Sequence, residues 1–338
     1  MSSSLPESLP HPLVVGDIGG TNARFALVEE PGAPLQPLPK LRTGDFPGPA
    51  EAIRSLAGSL PAQPRSVVMC GAGPVNGRTC SLTNAPWLID GPQLAGALGL
   101  ADGLLLNDFE AQALSLPAIP ADDLWVIGPD LKPGGGAKVV LGPGTGLGVG
   151  ALVQSAGRHI PIPSEGGHID LAPGDEDEAS VFAHLQRVGG RIAGEVVLSG
   201  PGLERLHAAR MAALARPAAV TTAAGIVERG LVDRQGDEGA TVRMFLSILA
   251  RFAGDMAITF GATGGVFFAG GILPRLRPVL DPAMFRRTFE AKAPVEWLPR
   301  SIGTRMVVSD RAVLHGMAAI AAQPARYEID YATRSWTA

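Results

Sequence analysis

VVGDIGGTNARFALV (14–28) and VVLGPGTGLGVGALV (139–153) are built alike: a β-branched run, a Gly-Thr turn, then a second short apolar run. Thr21 and Thr145 hold matching places, 124 positions apart (145 minus 21). The repetition predicts two related lobes, each offering a backbone-lined anion pocket to one ligand, as when a polyphosphate is held between two domains. Glycine tolerates positive φ and lets a backbone approach a ligand closely, and successive N–H groups in such turns converge on anionic oxygens.

In the first turn Asp17 follows Val14 and Val15, where its short carboxylate is placed to hold a Mg²⁺ through water beside the phosphates. Thr21 and Asn22 add neutral donors. In the second turn Gly142, Gly144, Gly146 and Gly148 alternate around Thr145, leaving few side chains to obstruct a γ-phosphate. Rival phosphate motifs are absent. A Walker A loop needs Gly-Lys-Ser/Thr, but none of Lys40, Lys132, Lys138 and Lys292 follows a glycine. A dinucleotide fingerprint needs G-x-G-x-x-G, and GPGTGLG has Leu147 at its sixth position.

A chain of 338 residues, 46% hydrophobic, suits about two domains with sizeable cores. A net charge of −4 and no long basic run argue against a nucleic-acid groove, which needs clustered Lys and Arg. The expected partners are small molecules. Cys70 and Cys80 are too few for a disulfide framework; Cys70 ends an apolar run, as a reduced core thiol does, and free thiols suit a cytoplasmic location. The opening MSSSLPESLPHP lacks the layout of a signal peptide and is expected to be a flexible tail. Met256–Pro274 carries no charge, but its five glycines break it into helix, turn and buried strand, so no membrane span is expected.

Strand-like and helix-like runs alternate, which marks an α/β protein. Helices are expected near 49–59, from about 175 to Val188, near 238–260 and from about Pro274. Strands are expected near 65–70, at 103–108 and at 264–271, with a boundary in the proline-rich stretch 117–137. Asp175, Glu176, Asp177 and Glu178 read as a solvated helix start, favoured by the helix dipole, in preference to a metal site. A strand ending in Gly270 and Gly271 leaves room for a flat ring or a phosphate.

Asn107 and Asp108 close a run of leucines, at the strand end where open α/β sheets bind ligands. Two readings stand: Asp108 caps the following helix, or it accepts the proton of a nucleophilic hydroxyl that Asn107 orients. Phosphoryl transfer through a loose transition state asks positioning more than basicity of such a group, so ordinary acidity suffices.

GDIGGTNARFAL, LTNAPW, NDFEAQAL, GPGTGLGVG, SEGGHID, VLSGPGLERL and FFAGGILPRL occur in the order and spacing that resemble the bacterial glucokinases of proteobacterial type, within the hexokinase and actin superfamily. The resemblance runs from about residue 12 to 320. It implies a two-lobed actin-like ATPase (ribonuclease H-like) fold with an interdomain cleft: a small lobe over 1–117, joined by the C-terminal helix in about 309–338, and a large lobe over 118–308. It implies ATP and Mg²⁺ as cofactors, glucose as the substrate phosphorylated at its 6-hydroxyl, and a homodimer. Asp108 looks like the catalytic base, with Asn84, Asn107, Glu165, His168 and Glu195 around the sugar. Gly16, Asp17, Ile18, Gly19, Gly20, Thr21 and Asn22 match the first nucleotide turn, Gly144, Thr145 and Gly146 the second, and Gly270 and Gly271 the nucleoside glycines, with Asp17 toward Mg²⁺ through water.

The sugar roles fit the residue types, since carboxylates accept from hydroxyls, imidazole donates or accepts, and Gly166 and Gly167 let the chain bend close to a ring. Other readings stay open: Thr83 and Asn84 as turn residues before Pro86, and Glu165 with His168 as a metal pair, though no third ligand completes such a site. Ser164 replaces a glycine common in the resembled family. The competing functions are a kinase for mannose, fructose or an amino sugar, a sugar-responsive regulator, and an actin-like or chaperone ATPase. A regulator needs an output domain for which the first 13 residues leave no room, and a filament or chaperone ATPase has no use for a hexose clamp.

Overall fold

A computed structural model describes residues 7–60 and 62–337. In chain order its main elements are β1 (Leu13–Ile18), β2 (Asn22–Val28), β3 (Ser66–Gly71), β4 (Asp102–Asn107), α1 (Asp108–Ser115), β5 (Leu124–Val126) and β6 (Lys138–Pro143). There follow β7 (Leu147–Ser155), β8 (Arg158–Ile162), α2 (Gly200–Ala213), α3 (Ala223–Val232), α4 (Asp237–Thr259), β9 (Gly265–Phe268), β10 (Thr304–Val307), α5 (Ala312–Ala322) and β11 (Ser335–Thr337). The described residues up to Asp123, with Leu152–Ile162 and those from Ser309, form one compact unit; Leu124–Ala151 with Pro163–Val308 forms the other.

The two main sheets share one pattern. In the first the order is β11-β4-β3-β1-β2, extended on β2 by Gln36–Pro37 and Leu41–Arg42; β1, β3 and β4 are mutually parallel, β2 runs against β1, and β11 closes the edge antiparallel to β4. The second sheet reads β5-β10-β9-β6-β7-β8, with β6, β9 and β10 parallel and β5 closing the edge antiparallel to β10. The matched glycine turns join β1 to β2 and β6 to β7, so the sequence repeat is a structural repeat. β3 is buried along its whole length, as an unbroken apolar run in a parallel sheet should be.

Register decides what sits together at each sheet edge. Ile18, Gly71 and Asn107 share one row, so the turn after β1 and Asp108 after β4 leave the first sheet at the same edge. Leu141, Phe268 and Met306 share a row in the second sheet, which puts the turn after β6 and the glycines after β9 at one edge there.

The first unit is tied together by its distant ends. α5 packs on α1 so closely that a Cβ at Gly316 would collide with Ser115. Trp336, 2% exposed, fills space left by Gly91 and Gly103, where any Cβ would overlap its ring. The expected flexible tail is corrected from residue 7 on, its first six residues lying outside the described ones. Leu9 is buried and donates its N–H to the Ala321 carbonyl at 2.9 Å, Ser66 donates its hydroxyl to the Pro10 carbonyl, and Arg65 donates to the Pro12 carbonyl at 2.7 Å.

In the second unit α4 runs 23 residues, and the uncharged stretch after it turns into buried β9. Among the described residues no helix is long and apolar enough to cross a membrane. The acidic run caps a helix through Asp175, whose side chain accepts from the Glu178 N–H, but that helix stops at Phe182 and not at Val188. Gly189 and Gly190, both at positive φ, turn the chain back so that Val188 and Arg191 bond each other. Glu178 is not solvated: it is buried and paired with Arg251. The helix expected from Pro274 is short, Leu273–Leu276.

Candidate functional site

In the first unit the turn between β1 and β2 is closed by the Gly19 N–H donating to the Asn22 carbonyl at 2.9 Å. It is braced from below by Thr43, a fully buried residue that donates its hydroxyl to the Gly19 carbonyl at 2.9 Å and its N–H to the Thr21 carbonyl at 3.0 Å. Among the described residues the N–H groups of Gly20 and Thr21 have no protein acceptor, which leaves them for an anion. Gly16 and Ile18 are buried within β1 and support the turn from behind; a Cβ at Gly16 would stand 2.9 Å from the Phe25 ring. Asn84, exposed, packs its Cβ against Gly20, where an added Cβ would be 2.8 Å away.

Asp108 begins α1 but does not cap it. That task falls to Asn107, whose Oδ1 accepts from the N–H groups of Phe109 at 3.0 Å and Glu110 at 3.3 Å, while its Nδ2 donates to the Gly73 carbonyl at 3.1 Å. The Asn107 side chain and the Phe109 N–H also bond the Asp108 carboxylate, which still has lone pairs to accept a proton. Burial pushes its pKa up to about 6, against the pull of the Phe109 N–H, so it is a stronger base than the reaction demands.

Asp17 is also held above the usual carboxylate range by burial, opposed by Arg24 beside it. Its Oδ2 accepts from Arg24 at 3.3 Å and its Oδ1 from the Cys70 thiol at 3.6 Å. A carboxylate with one donor on each oxygen still has lone pairs for water hydrogens, which fits a hydrated Mg²⁺ carried by phosphates. Direct protein ligation does not fit: no group of three or more His, Cys, Asp or Glu able to hold a metal is found among the described residues.

In the second unit the Gly144 N–H donates to the Gly146 carbonyl at 2.8 Å, and Gly200 donates to the Gly144 carbonyl at 2.7 Å. Glu195 braces this turn: its Oε2 accepts from the Leu147 N–H at 2.9 Å and lies against Gly146, so half of a carboxylate expected at a sugar is committed to the turn. Glu165 and His168 are 92% and 56% exposed in their side chains and lie 3.7 Å apart. Their segment is zipped to that of Glu195 by Leu171 donating to Ile192 and Gly194 donating to Ile169, both at 2.9 Å. Gly167 is needed here for close packing on the Leu147 carbonyl, a different reason from the bend expected toward a ring. Ser164 accepts from the Gly166 N–H at 3.0 Å and so steadies the segment.

Gly270, at φ 90°, sits where a Cβ would be 2.7 Å from the Pro143 carbonyl, so only glycine lets β9 end against β6. A cavity of about 360 Å³ results, lined by Gly144, Thr145 and Gly271 and also by Gly200, Pro201 and Arg275. The last three were not singled out from sequence. The signal for Gly200 and Pro201 was Ser-Gly-Pro-Gly at 199–202, in which Ser199 caps α2 by accepting from the Gly202 N–H at 3.0 Å; Arg275 had none.

A family model described as Glucokinase matches residues 14–324. A glucokinase of Chelativorans sp. (strain BNC1) is 43% identical over 331 residues, covering 97% of this chain and 96% of that protein. A solved glucokinase from an Antarctic psychrotroph is similar with a TM-score of 0.82 and 31% identity, covering 91% of this chain and 98% of that one. A ROK family glucokinase from Streptomyces griseus, solved with glucose and AMPPNP, shares the fold at TM-score 0.61 and 24% identity, covering 91% of this chain and 98% of that one. Because the match runs from the first glycine turn through α5 and the doubled sheet carries it, the chain belongs to the glucokinase family and has its two-lobed actin-like ATPase fold.

Proposed function

We propose that this chain transfers the γ-phosphoryl group of ATP to the 6-hydroxyl of glucose, with Asp108 as general base. The observation that carries the proposal is Asp108 itself: relieved of the N-cap by Asn107, half-buried, and leaving the sheet beside the row of the first glycine turn. A carboxylate whose proton comes off near pH 6 is ionised at neutral pH, yet it is a better base than an exposed aspartate. It takes the hydroxyl proton late, as the bond to phosphorus forms and the bond to the leaving ADP oxygen breaks. The side chains of Asn84, Asn107, Glu165, His168 and Glu195 are assigned to the sugar hydroxyls. Gly20, Thr21, Thr145 and Gly146 are assigned to the phosphates through their N–H groups, with the cavity at Gly271 for the nucleoside.

Mg²⁺, when bound with ATP, neutralises charge on the transferred group; Asp17 would hold it through water. A glycolytic, cytoplasmic homodimer completes the proposal, supported by the two free, buried thiols and by the family resemblance. A coupled-enzyme assay with ATP, Mg²⁺ and a panel of glucose, mannose, fructose and glucosamine tests the proposal. Glucose is expected to give the highest kcat/KM; a different best hexose would reassign the substrate, and no sugar-dependent ADP release would remove the kinase reading.

A further inference from the structure

Asp17 is gripped from both sides by neighbours that sheet register puts there. Arg24 is its cross-strand partner on β2 and Cys70 its partner on β3. Residues directly opposite on one sheet face are close enough to interact. The Arg24 guanidinium is itself fixed, since its Nε donates to Asp310 at 3.3 Å, just before α5. The last torsion of an aspartate is broad and roughly two-fold, so a carboxylate with no partners samples many planes. Separate donors on Oδ1 and Oδ2 restrict Asp17 to one.

We propose that Arg24 and Cys70 are positioning residues for the magnesium nucleotide, acting through Asp17, with Asp310 holding Arg24 in turn. The proposal rests on the ATP-dependent reading above. Cys70 is then more than a core thiol: its S–H sets the direction in which Asp17 presents lone pairs to metal-bound water, without itself touching the nucleotide. Arg24 does the same from the other oxygen and balances the carboxylate's charge.

The test is calorimetric binding of ADP to the full chain with and without Mg²⁺, for wild type, Cys70→Ala, Cys70→Ser, Arg24→Gln and Asp310→Asn. Mg²⁺ is expected to tighten ADP binding in the wild type. In Cys70→Ala and Arg24→Gln that gain should shrink by about three- to ten-fold, the size of one lost hydrogen bond, with metal-free ADP binding unchanged. Cys70→Ser should restore the gain because its hydroxyl still donates, and Asp310→Asn should lose part of it. An unchanged Mg²⁺ gain in every variant would overturn the inference, as would an equal loss of metal-free binding, which signals a collapsed turn. Failure of the wild type to bind ADP at all, with or without Mg²⁺, would instead overturn the nucleotide reading on which the inference stands.

Discussion

Replacing Asp108 by Asn should stabilise the protein while it destroys turnover. In the folded chain burial moves the carboxyl from 3.8 up to about 6, so folding is opposed wherever the group is ionised. Because the folded value is raised, the protonated group carries no penalty below about pH 4; the penalty grows as pH rises and is complete above about pH 7. A gap of about 2.2 pH units at about 1.36 kcal/mol each comes to about 3 kcal/mol. The attraction of the α1 N–H groups for the carboxylate is already contained in that value, so about 3 kcal/mol is the net penalty. At roughly 2 °C per kcal/mol for a chain of this size, Asp108→Asn should melt roughly 6 °C higher than wild type at pH 8. The difference should vanish near pH 4, which separates relief of a buried charge from a general packing gain. Paired thermal melts at pH 4, 6 and 8 measure it. A variant that melts no higher than wild type at pH 8, or higher by the same margin at every pH, would refute the reasoning.

The same acidity fixes a pH dependence: a base must be ionised, so kcat/KM for glucose should fall about ten-fold per pH unit below about pH 6, read from a steady-state pH profile. Glu195→Ala removes both the acceptor of the Leu147 N–H and the proposed sugar contact, and should raise KM for ATP and for glucose by about three- to ten-fold each, measured by varying each substrate in turn. Trp336→Ala empties the space walled by Gly91 and Gly103 and should cost about 3–5 kcal/mol in a urea titration. Gly103→Ala forces a methyl group into that ring and should cost about 1–3 kcal/mol.

The parts of the fold legible in the sequence were those written in local pattern. Valine runs broken by Gly-Thr turns located β1, β2, β6 and β7, and the leucine run located β4, because parallel strands are apolar on both faces. Asp108 was legible as a strand-end acid, but its freedom from capping was not, since Asn and Asp cap equally well and only the backbone geometry assigns the task to Asn107. What escaped reading depends on contacts between distant positions. Thr43 bracing the turn at Gly19, Glu195 bracing the turn at Leu147, and Trp336 seated over Gly103 carry no local signature. The raised pKa of Asp108 escaped for the same reason, because it comes from burial that no stretch of sequence states. Leu9 was lost in a polar, proline-rich segment whose one apolar anchor and backbone bonds only the packed structure reveals.

Whether Asp108 acts as the base is tested most directly by glucose-dependent ADP release from Asp108→Ala, with ADP and glucose affinities measured on the same protein. Turnover should fall by about 10²- to 10⁴-fold with both affinities within a few-fold of wild type. Turnover within a few-fold of wild type would contradict that role.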